Sequence, residues 1–426
     1  MIIKKENCGC ISCGSMLSDD LVLIGDQYPS AVFANKNDDI SKKITSTSLN
    51  LCRCTNDACA LVQLKTQYDL QYVFDHYPYE SNTTATMGNI LKDIVDETLA
   101  YVPVTSNDVI LDIGGNDGTL LSYIPNNVKT KINIDAASGV EQIINDKNYV
   151  YKHDKFNHVV YNSLTNQNPK IIFCVAMFYH LSNPVDFCQS ISKIMNEDSV
   201  WVLQMTYLGT MLEDNILDNI VHEHAAYYSL HSLEHLLHSV GLKIAEAKLV
   251  SSYGGSLRVY IVKNNNTIEQ NFSKEGYKQI QSFEKINKTN TYEALCTFNS
   301  KVHLLKNILQ NFIEFIKTDD IVWGFGASTK GNMLLQFLNI DVKTIPYILD
   351  NNNKKIGTTT LGSKIPIISE KDNWSQIPKY LLILPYYYTD AFIKIIKKHI
   401  SIHKSVTLIV PLPYPKFIKI TGEKND

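Results

Sequence analysis

Four cysteines near the N-terminus have the spacing of a metal site. Tetrahedral zinc takes four soft ligands, and two short-spaced pairs joined by a loop supply them at low entropic cost. Four thiolates saturate the ion, so the spacing predicts a structural zinc site rather than a catalytic one; reduced thiols without a metal are the alternative. The predicted ligands are Cys10 and Cys13 in a Cys-x-x-Cys pair, and Cys54 and Cys59 in a second pair. Two further cysteines could replace one of them: Cys8 and Cys52.

A glycine-rich loop, DIGGNDG, follows a predicted strand and precedes a predicted helix. Small residues let the backbone approach a ligand, and the helix N-terminus offers free N–H groups. Asp112 and Asp117 would repel a phosphate, so they favour a cationic cofactor such as S-adenosylmethionine; a tight turn without a ligand is the alternative. Asp135 ends the next predicted strand, where a carboxylate can accept hydrogen bonds from ribose hydroxyls. The expected cofactor contacts are Asp112, Gly114, Asn116, Asp117 and Asp135.

The segment NIVHEHAAYYS contains two histidines and a carboxylate, His222, Glu223 and His224, directly before a predicted helix. Such a set could bind a metal or transfer protons. The spacing differs from HExxH, in which both histidines share one face of a helix, so a zinc protease is not expected. A histidine oriented by a carboxylate is a good general base near pH 7. A satisfied polar cluster is the alternative.

Three further segments carry candidate site residues. His180 follows the third predicted strand, at the edge where doubly wound sheets bind ligands. Tyr77 and Tyr79 lie in a loop that leads into the first predicted helix of the central domain. The turn GFGASTKGNMLL could hold a nucleotide phosphate although it lacks the P-loop spacing. For each segment a purely structural role is the alternative.

Alternating strands and helices position these residues. Apolar periodicity predicts a helix over Met87–Val102, and the runs VILDI, KINID, IIFCVAM and VWVLQM predict strands. A second strand–turn–helix unit begins at Ile321, followed by three strand-like runs. We therefore expect an α/β fold with a parallel, doubly wound sheet. The predicted domains are a zinc-binding module over 1–75, a Rossmann-type methyltransferase domain over 76–265, and a linker helix with a Rossmann-like domain over 266–426.

Composition excludes several classes of partner. The 426 residues carry 40 Lys+Arg against 43 Asp+Glu, a balance that does not favour nucleic acid or an anionic membrane. Apolar runs are too short for a membrane span, and the N-terminus lacks the apolar stretch of a secretion signal. Clustered cysteines also suit a reducing compartment. We expect a cytoplasmic protein that is a monomer.

Together, these segments resemble the sugar-nucleotide C-methyltransferases, a family that methylates C3 of 4-keto deoxy sugars. The resemblance runs in order along nearly the whole chain: CISCGS and CALVQL, HYPYESNTT, DIGGNDGTLL, VHEHAAYYSLHSLEHLLHSVGL, GGSLRVY, GFGASTKGNMLL, ILDNNNKKIG and GSKIPI. It implies that His224 removes the C3 proton with Glu223 as its support, and that His180 and Tyr79 hydrogen-bond the keto oxygen or enolate. The implied contacts with the nucleotide sugar are Tyr77, Gly326, Lys330 and Asn332.

Three positions depart from the pattern of that family. Val221 stands where a tyrosine is usual before the HEH segment, Ala176 stands for an asparagine, and Gln204 stands for a carboxylate. These departures leave open methylation of a sugar oxygen, or a protein that binds sugar nucleotides without catalysis. An NAD-dependent dehydrogenase is disfavoured because GxGxxG is absent and Asp117 would face the pyrophosphate.

Overall fold

The computed structural model describes residues 4–35, 44–68, 85–137 and 149–423. Within the first two ranges, short strands surround the paired cysteines. Strand β5 runs into Cys54, and β6 begins shortly after Cys59, so the second cysteine pair lies in the turn of one hairpin. The strands of this module are β1 (Lys4–Glu6), β2 (Asp26–Gln27), β3 (Phe33–Asn35), β4 (Thr47–Ser48), β5 (Leu51–Arg53), β6 (Val62–Leu64) and β7 (Thr66–Tyr68).

A twisted sheet with helices on both faces forms the central domain. Its described strands run in the order β10-β9-β8-β11-β12-β15-β14. The elements are α1 (Ala85–Tyr101), β8 (Val109–Ile113), α2 (Thr119–Ser122), β9 (Thr130–Asp135), β10 (Val150–His153), α3 (His158–Asn162), β11 (Ile171–Val175), α4 (Pro184–Ile194), β12 (Val200–Thr206), α5 (Leu208–Glu213), β13 (Ala226–Tyr227), α6 (Leu230–His238), β14 (Leu242–Val250) and β15 (Ser256–Lys263).

The parallel part of this sheet is the predicted one. β8 pairs in parallel with β9 and β11, and every residue of β8 is buried, as expected for a strand covered on both faces. Beyond these strands the sheet has an antiparallel edge that the sequence did not predict, where β15 pairs antiparallel with both β12 and β14. The short connection between β14 and β15 permits only an antiparallel pair, since a parallel crossover needs about a dozen residues or more.

A smaller sheet forms the C-terminal domain, with its described strands in the order β19-β17-β16-β20-β21-β22. The long helix α8 packs its apolar face on this domain, in a region that sequence periodicity left unassigned. The elements are α7 (Glu275–Ile286), α8 (Tyr292–Ile316), β16 (Val322–Phe325), α9 (Thr329–Phe337), β17 (Ile348–Asp350), β18 (Thr358–Thr360), β19 (Ile367–Ser369), α10 (Glu370–Asn373), β20 (Tyr380–Ile383), α11 (Thr389–His399), β21 (Ser405–Val410) and β22 (Lys416–Thr421).

One apolar core joins parts of all three regions. The same buried cluster contains Val22 and Leu64 of the N-terminal module, Ile220 and Val221 directly before His222, and Phe325 of β16. The segment that carries His224 therefore packs against the C-terminal domain as well as against its own sheet. No helix in the described ranges is long and apolar enough to cross a membrane.

Candidate active site

The glycine-rich loop after β8 folds tightly over a buried carboxylate. Gly114, Asn116 and Gly118 have φ values of 69°, 49° and 78°, in the left-handed region that glycine and asparagine adopt most readily. A Cβ on Gly115 would lie 2.5 Å from Asp112 Oδ2, so only glycine fits between the loop and that oxygen. The loop is therefore the tight turn that its glycines predicted, and its contacts with a cofactor stay predictions.

Asp112 and Asp135 lie at the carboxyl ends of adjacent strands. Asp112 is buried, and its Oδ2 has no hydrogen-bond partner among the described residues. Burial, followed by the charges of Asp135 and Asp117, raises the pKa of Asp112 to about 8. The Asp135 carboxylate accepts hydrogen bonds from the backbone N–H groups of Asn116 at 2.8 Å and Ala137 at 2.7 Å. These bonds fix its orientation and leave lone pairs for further donors.

This pocket fits a cofactor that carries positive charge. An unpartnered buried carboxyl group is costly unless a ligand supplies the missing partner. A cationic amino group beside Asp112 would also favour the ionised form of that carboxyl group. Asp117 is held by the N–H and hydroxyl of Thr119, at 3.1 and 2.6 Å. Asp117 therefore shapes the loop from within.

The four predicted zinc ligands converge at one point. The Cys10 and Cys59 Sγ atoms are 3.7 Å apart, those of Cys13 and Cys54 are 3.4 Å apart, and all four lie within 4.8 Å of one another. Four sulfurs at the usual zinc–sulfur bond length of about 2.3 Å would be about 3.8 Å apart in a tetrahedron, whereas a disulfide needs about 2.05 Å. The set therefore fits a tetrahedral metal ion. Outside it lie the spare candidates Cys8 and Cys52.

His224 lies in a cluster of aromatic rings at the carboxyl edge of the central sheet. Its ring is 4.3 Å from that of Tyr179 and 5.3 Å from that of His180, measured between centroids. His224 Nδ1 has no hydrogen-bond partner among the described residues, whereas the backbone of Asn219 holds the ring. Burial lowers the pKa of His180 to about 3. Burial, then the charges of His180 and Lys330, hold the pKa of His224 well below its usual range, so both imidazoles are neutral near pH 7.

A continuous path joins this histidine cluster to the cofactor loop. A Cβ on Gly114 would lie 3.0 Å from Met177 Cγ, so the loop packs on Met177. The backbone N–H of His180 donates to the Met177 carbonyl oxygen at 2.9 Å, and the His180 ring stacks on His224. The predicted cofactor residues and two of the predicted catalytic residues therefore lie side by side.

The other two members of the HEH segment point to different surroundings. Glu223 is buried, neither carboxylate oxygen has a partner among the described residues, and burial raises its pKa to about 7. No hydrogen bond in the described part of the chain joins it to His224, so its supporting role stays a prediction. His222 contacts the backbone of Gln27 and Thr47 in the N-terminal module. Among the described residues only the four cysteines are grouped as a metal site.

The C-terminal domain contributes Lys330 to the same region. The Lys330 ammonium donates to Asn219 Oδ1 at 2.5 Å, directly before the HEH segment. The Asn332 amide donates to the Ser30 carbonyl oxygen at 2.8 Å and joins α9 to the N-terminal module. A Cβ on Gly326 would lie 2.7 Å from Pro385, so this glycine permits close packing of the turn. Contacts of these residues with a nucleotide sugar stay predictions, and Tyr77 and Tyr79 lie outside the described residues.

The three departures from the family pattern have distinct surroundings. Val221 is buried in the shared core. Ala176 has φ 55°, a left-handed conformation that asparagine adopts more readily than alanine, which gives a physical reason for the usual asparagine. Gln204 Oε1 accepts a hydrogen bond from Arg258 Nε at 2.8 Å. Gln204 therefore belongs to a buried network around Arg258, which also pairs with carboxylates of α1.

Sequence reasoning did not single out several residues of this region. Arg258 interrupts the apolar run of β15, and a buried cation of this kind is a signal that could have been used. Asp218 and Asn219 directly precede the HEH segment, and Tyr386 joins them from the C-terminal domain. Their significance depends on contacts between distant parts of the chain.

Comparison with known proteins identifies the two large domains. Residues 84–247 match the methyltransferase-domain family, and residues 251–413 match the family described as the C-methyltransferase C-terminal domain. The chain is a methyltransferase. The methyltransferase is 24% identical to the C-methyltransferase NovU of Streptomyces niveus over 363 residues, which cover 84% of this chain and 85% of NovU.

Solved structures resemble only part of the methyltransferase. The plantazolicin methyltransferase BpumL is 13% identical with a TM-score of 0.36, and covers 46% of this chain and 95% of its own. An S-adenosylmethionine-dependent methyltransferase from Clostridium acetobutylicum is 10% identical with a TM-score of 0.33, and covers 41% and 92%. The assignment therefore rests on the two family matches and on NovU.

Proposed function

We propose that the methyltransferase transfers a methyl group to C3 of a nucleotide-linked 4-keto deoxy sugar. The observation that carries the proposal is the neutral His224 imidazole, with Nδ1 free of a described partner, beside the cofactor loop and Lys330. The similarity to a C-methyltransferase over 84% of this chain supports transfer to carbon. The ordered resemblance to sugar-nucleotide C-methyltransferases supports the class of acceptor.

The cofactor-binding residues proposed here are Asp112, Gly114, Asn116, Asp117 and Asp135. When bound, S-adenosylmethionine supplies an electrophilic methyl group and leaves as a neutral thioether. The Asp112 carboxylate would pair with its positive charge, and Asp135 would accept hydrogen bonds from ribose hydroxyls. The glycines keep the loop backbone close enough for these contacts.

His224 is the proposed base. A ketone at C4 acidifies the proton on C3, and breaking that C–H bond transfers the proton to His224 Nδ1 while the electron pair delocalises onto the keto oxygen. His180 and Tyr79 would hydrogen-bond that oxygen, and Glu223 would support the protonated imidazole. Positioned proton transfer of this kind contributes about 10²–10⁴-fold to a rate. Holding the acceptor carbon beside the methyl group supplies much of the rest.

The nucleotide part of the acceptor would lie on the side of the C-terminal domain. Tyr77, Gly326, Lys330 and Asn332 are the proposed contacts. The four clustered cysteines would hold a structural zinc ion, which ties together the module that packs beside the HEH segment.

The experiment compares keto and reduced acceptors. The protein is incubated with S-adenosylmethionine and matched nucleotide-linked 4-keto-6-deoxy sugars and 4-hydroxy sugars, and the release of S-adenosylhomocysteine and the product mass are followed. We expect a gain of one methyl group with keto sugars only, lost in His224→Ala. Turnover with the reduced sugars would indicate methylation of oxygen, and cofactor binding without turnover on any sugar would indicate a binding protein; either result overturns the proposal.

A further inference from the structure

A buried polar cluster lies where the HEH segment meets the C-terminal domain. Lys330 of α9 donates to Asn219 Oδ1 at 2.5 Å, and Tyr386 donates its hydroxyl to Asp218 Oδ1 at 3.3 Å. Asp218 and Asn219 are each only 1% exposed. We call these four residues the Lys330 cluster.

The cluster contains a lysine and an aspartate whose charges interact. Asp218 Oδ2 has no hydrogen-bond partner among the described residues, and the positive charge of Lys330 opposes the rise in pKa that burial causes at Asp218. The Lys330 ammonium also lies 5.4 Å from the centre of the Tyr387 ring. Removing a charge from water has a cost in free energy, so a half-buried lysine beside a buried aspartate indicates a role beyond apolar packing.

Asn219 connects this cluster directly to His224. Its side chain accepts the hydrogen bond from Lys330, and its backbone holds the His224 ring. One residue thus relays the position of a helix in the C-terminal domain to the imidazole. The other rings that face His224 are those of Tyr179, His180 and Tyr227.

We propose that Lys330 is a positioning residue for His224, which it ties through Asn219 to the C-terminal domain and beside which it maintains a positive charge. This inference rests on the proposed role of His224 as the base. It differs from the phosphate contact expected of Lys330, because the ammonium already has a protein acceptor within the catalytic segment. Docking of the C-terminal domain would thereby determine whether the base is in place.

The sign of the electrostatic effect follows from the charges that face His224. Lys330 and His180 both disfavour a positive charge on the imidazole, and the Asn219 carbonyl oxygen favours it. Glu223 is adjacent in sequence, and Asp218 faces Lys330. Removing the ammonium therefore raises the pKa of His224. Since the base must be neutral to accept a proton, the acidic limb of the rate profile moves to higher pH.

The test compares the full-length protein, loaded with zinc, with Lys330→Met and Lys330→Arg. We expect Lys330→Met to move the acidic limb of kcat upward by on the order of one pH unit. Lys330→Arg keeps the positive charge and should leave the limb close to its position in the parent. In Lys330→Met, kcat should fall by a larger factor than the factor by which KM for the nucleotide sugar rises. The Kd for S-adenosylmethionine should stay within about twofold of the parent value. Lys306→Met is the matched control. Lys306 is a half-buried lysine of α8 that packs on the ring of Phe337 in α9, the helix that carries Lys330. This variant should leave the acidic limb of kcat in place.

A direct readout separates this inference from the proposed function. The His224 resonance is assigned in ¹⁵N-histidine spectra by its loss in His224→Gln. The pH midpoint of the titration of that resonance should rise in Lys330→Met. An unchanged midpoint and limb with a raised KM would overturn the positioning role and leave a phosphate contact. Turnover retained by His224→Gln would instead overturn the proposed base, whatever the spectra show. If Lys330→Met does not fold, Lys330→Met combined with Asp218→Asn is used. A smaller rise in the same direction is then expected, because the lost carboxyl group offsets part of the lost positive charge.

Discussion

Loss of one cysteine of the proposed zinc site should disable the proposed base, His224, and leave the glycine-rich loop intact. The change is Cys59→Ser, in the turn between β5 and β6. Strand β6 pairs with β13, where Val62 lies opposite Tyr227, and the Leu64 N–H donates to the Ala225 carbonyl oxygen at 3.1 Å. These contacts begin one residue after His224. A metal that holds the β5–β6 hairpin thus also holds the strand that follows the base.

The size of the effect follows from the contacts between the two strands. The two strands pair at two positions, and the Leu64 N–H donates to the Ala225 carbonyl oxygen beside them. A backbone hydrogen bond contributes about 1 kcal/mol. If the free energy that favours the ordered position of this strand falls by about 2–3 kcal/mol, the fraction of molecules with His224 correctly placed falls by up to about 30- to 150-fold. We therefore expect kcat to fall by about that factor. Cofactor affinity should change less than about threefold, since Asp112 and Asp135 lie on other strands.

The assay measures metal content, S-adenosylmethionine affinity by calorimetry, turnover, and hydrogen exchange over residues 220–228. Cys52→Ser is the matched control, because Cys52 is fully buried in the same module but lies outside the four-sulfur cluster. We expect only Cys59→Ser to lose zinc, turnover and exchange protection. A zinc-free Cys59→Ser with turnover close to the parent, or an equal loss in Cys52→Ser, would refute the reasoning.

Further expectations concern the cofactor pocket and the buried arginine. Affinity for S-adenosylmethionine should increase with pH by up to about tenfold per unit below pH 8. The reason is that bound positive charge favours the ionised form of Asp112, whose pKa is raised to about 8. Calorimetry from pH 6 to 9 should show this pH dependence in the parent but not in Asp112→Asn. Gly115→Ala would place a methyl group 2.5 Å from Asp112 Oδ2 and should weaken cofactor binding at least about tenfold. Unchanged affinity would argue against cofactor binding by this loop. Arg258→Met should lower the free energy of unfolding by about 3 kcal/mol in denaturant titrations, since it leaves Gln204 and Glu97 without their buried partner, and a loss below about 1 kcal/mol would contradict this.

The cofactor loop was predictable because its signals are local. A buried strand, small residues and a helix start lie within a dozen residues, and Asp135 ends the next strand of the same parallel unit. The cysteine pairs were predictable for a similar reason, since metal geometry limits the usable spacings. Periodicity also located α1, which begins at Ala85 rather than at Met87.

What the sequence did not show depends on contacts between distant segments. Strand β13 completes a sheet with β6, more than 150 residues earlier, so no local pattern indicates that the zinc module holds the HEH segment. The hydrogen bond from Lys330 to Asn219 spans 111 residues. Gln204 stands where the family usually has a carboxylate, and only the structure shows that it accepts a hydrogen bond from Arg258. Residue types predicted the chemistry, but long-range packing decides which groups meet.

The most direct test of the proposed reaction is to locate the transferred methyl group. The zinc-loaded protein is incubated with S-adenosylmethionine labelled with ¹³C in its methyl group and with nucleotide-linked 4-keto-6-deoxy sugars, and the product is analysed by NMR. We predict a ¹³C methyl group bonded to C3 and disappearance of the C3 proton signal, with neither seen in His224→Ala. A methyl group bonded to oxygen, or a labelled product formed equally well by His224→Ala, would contradict the account.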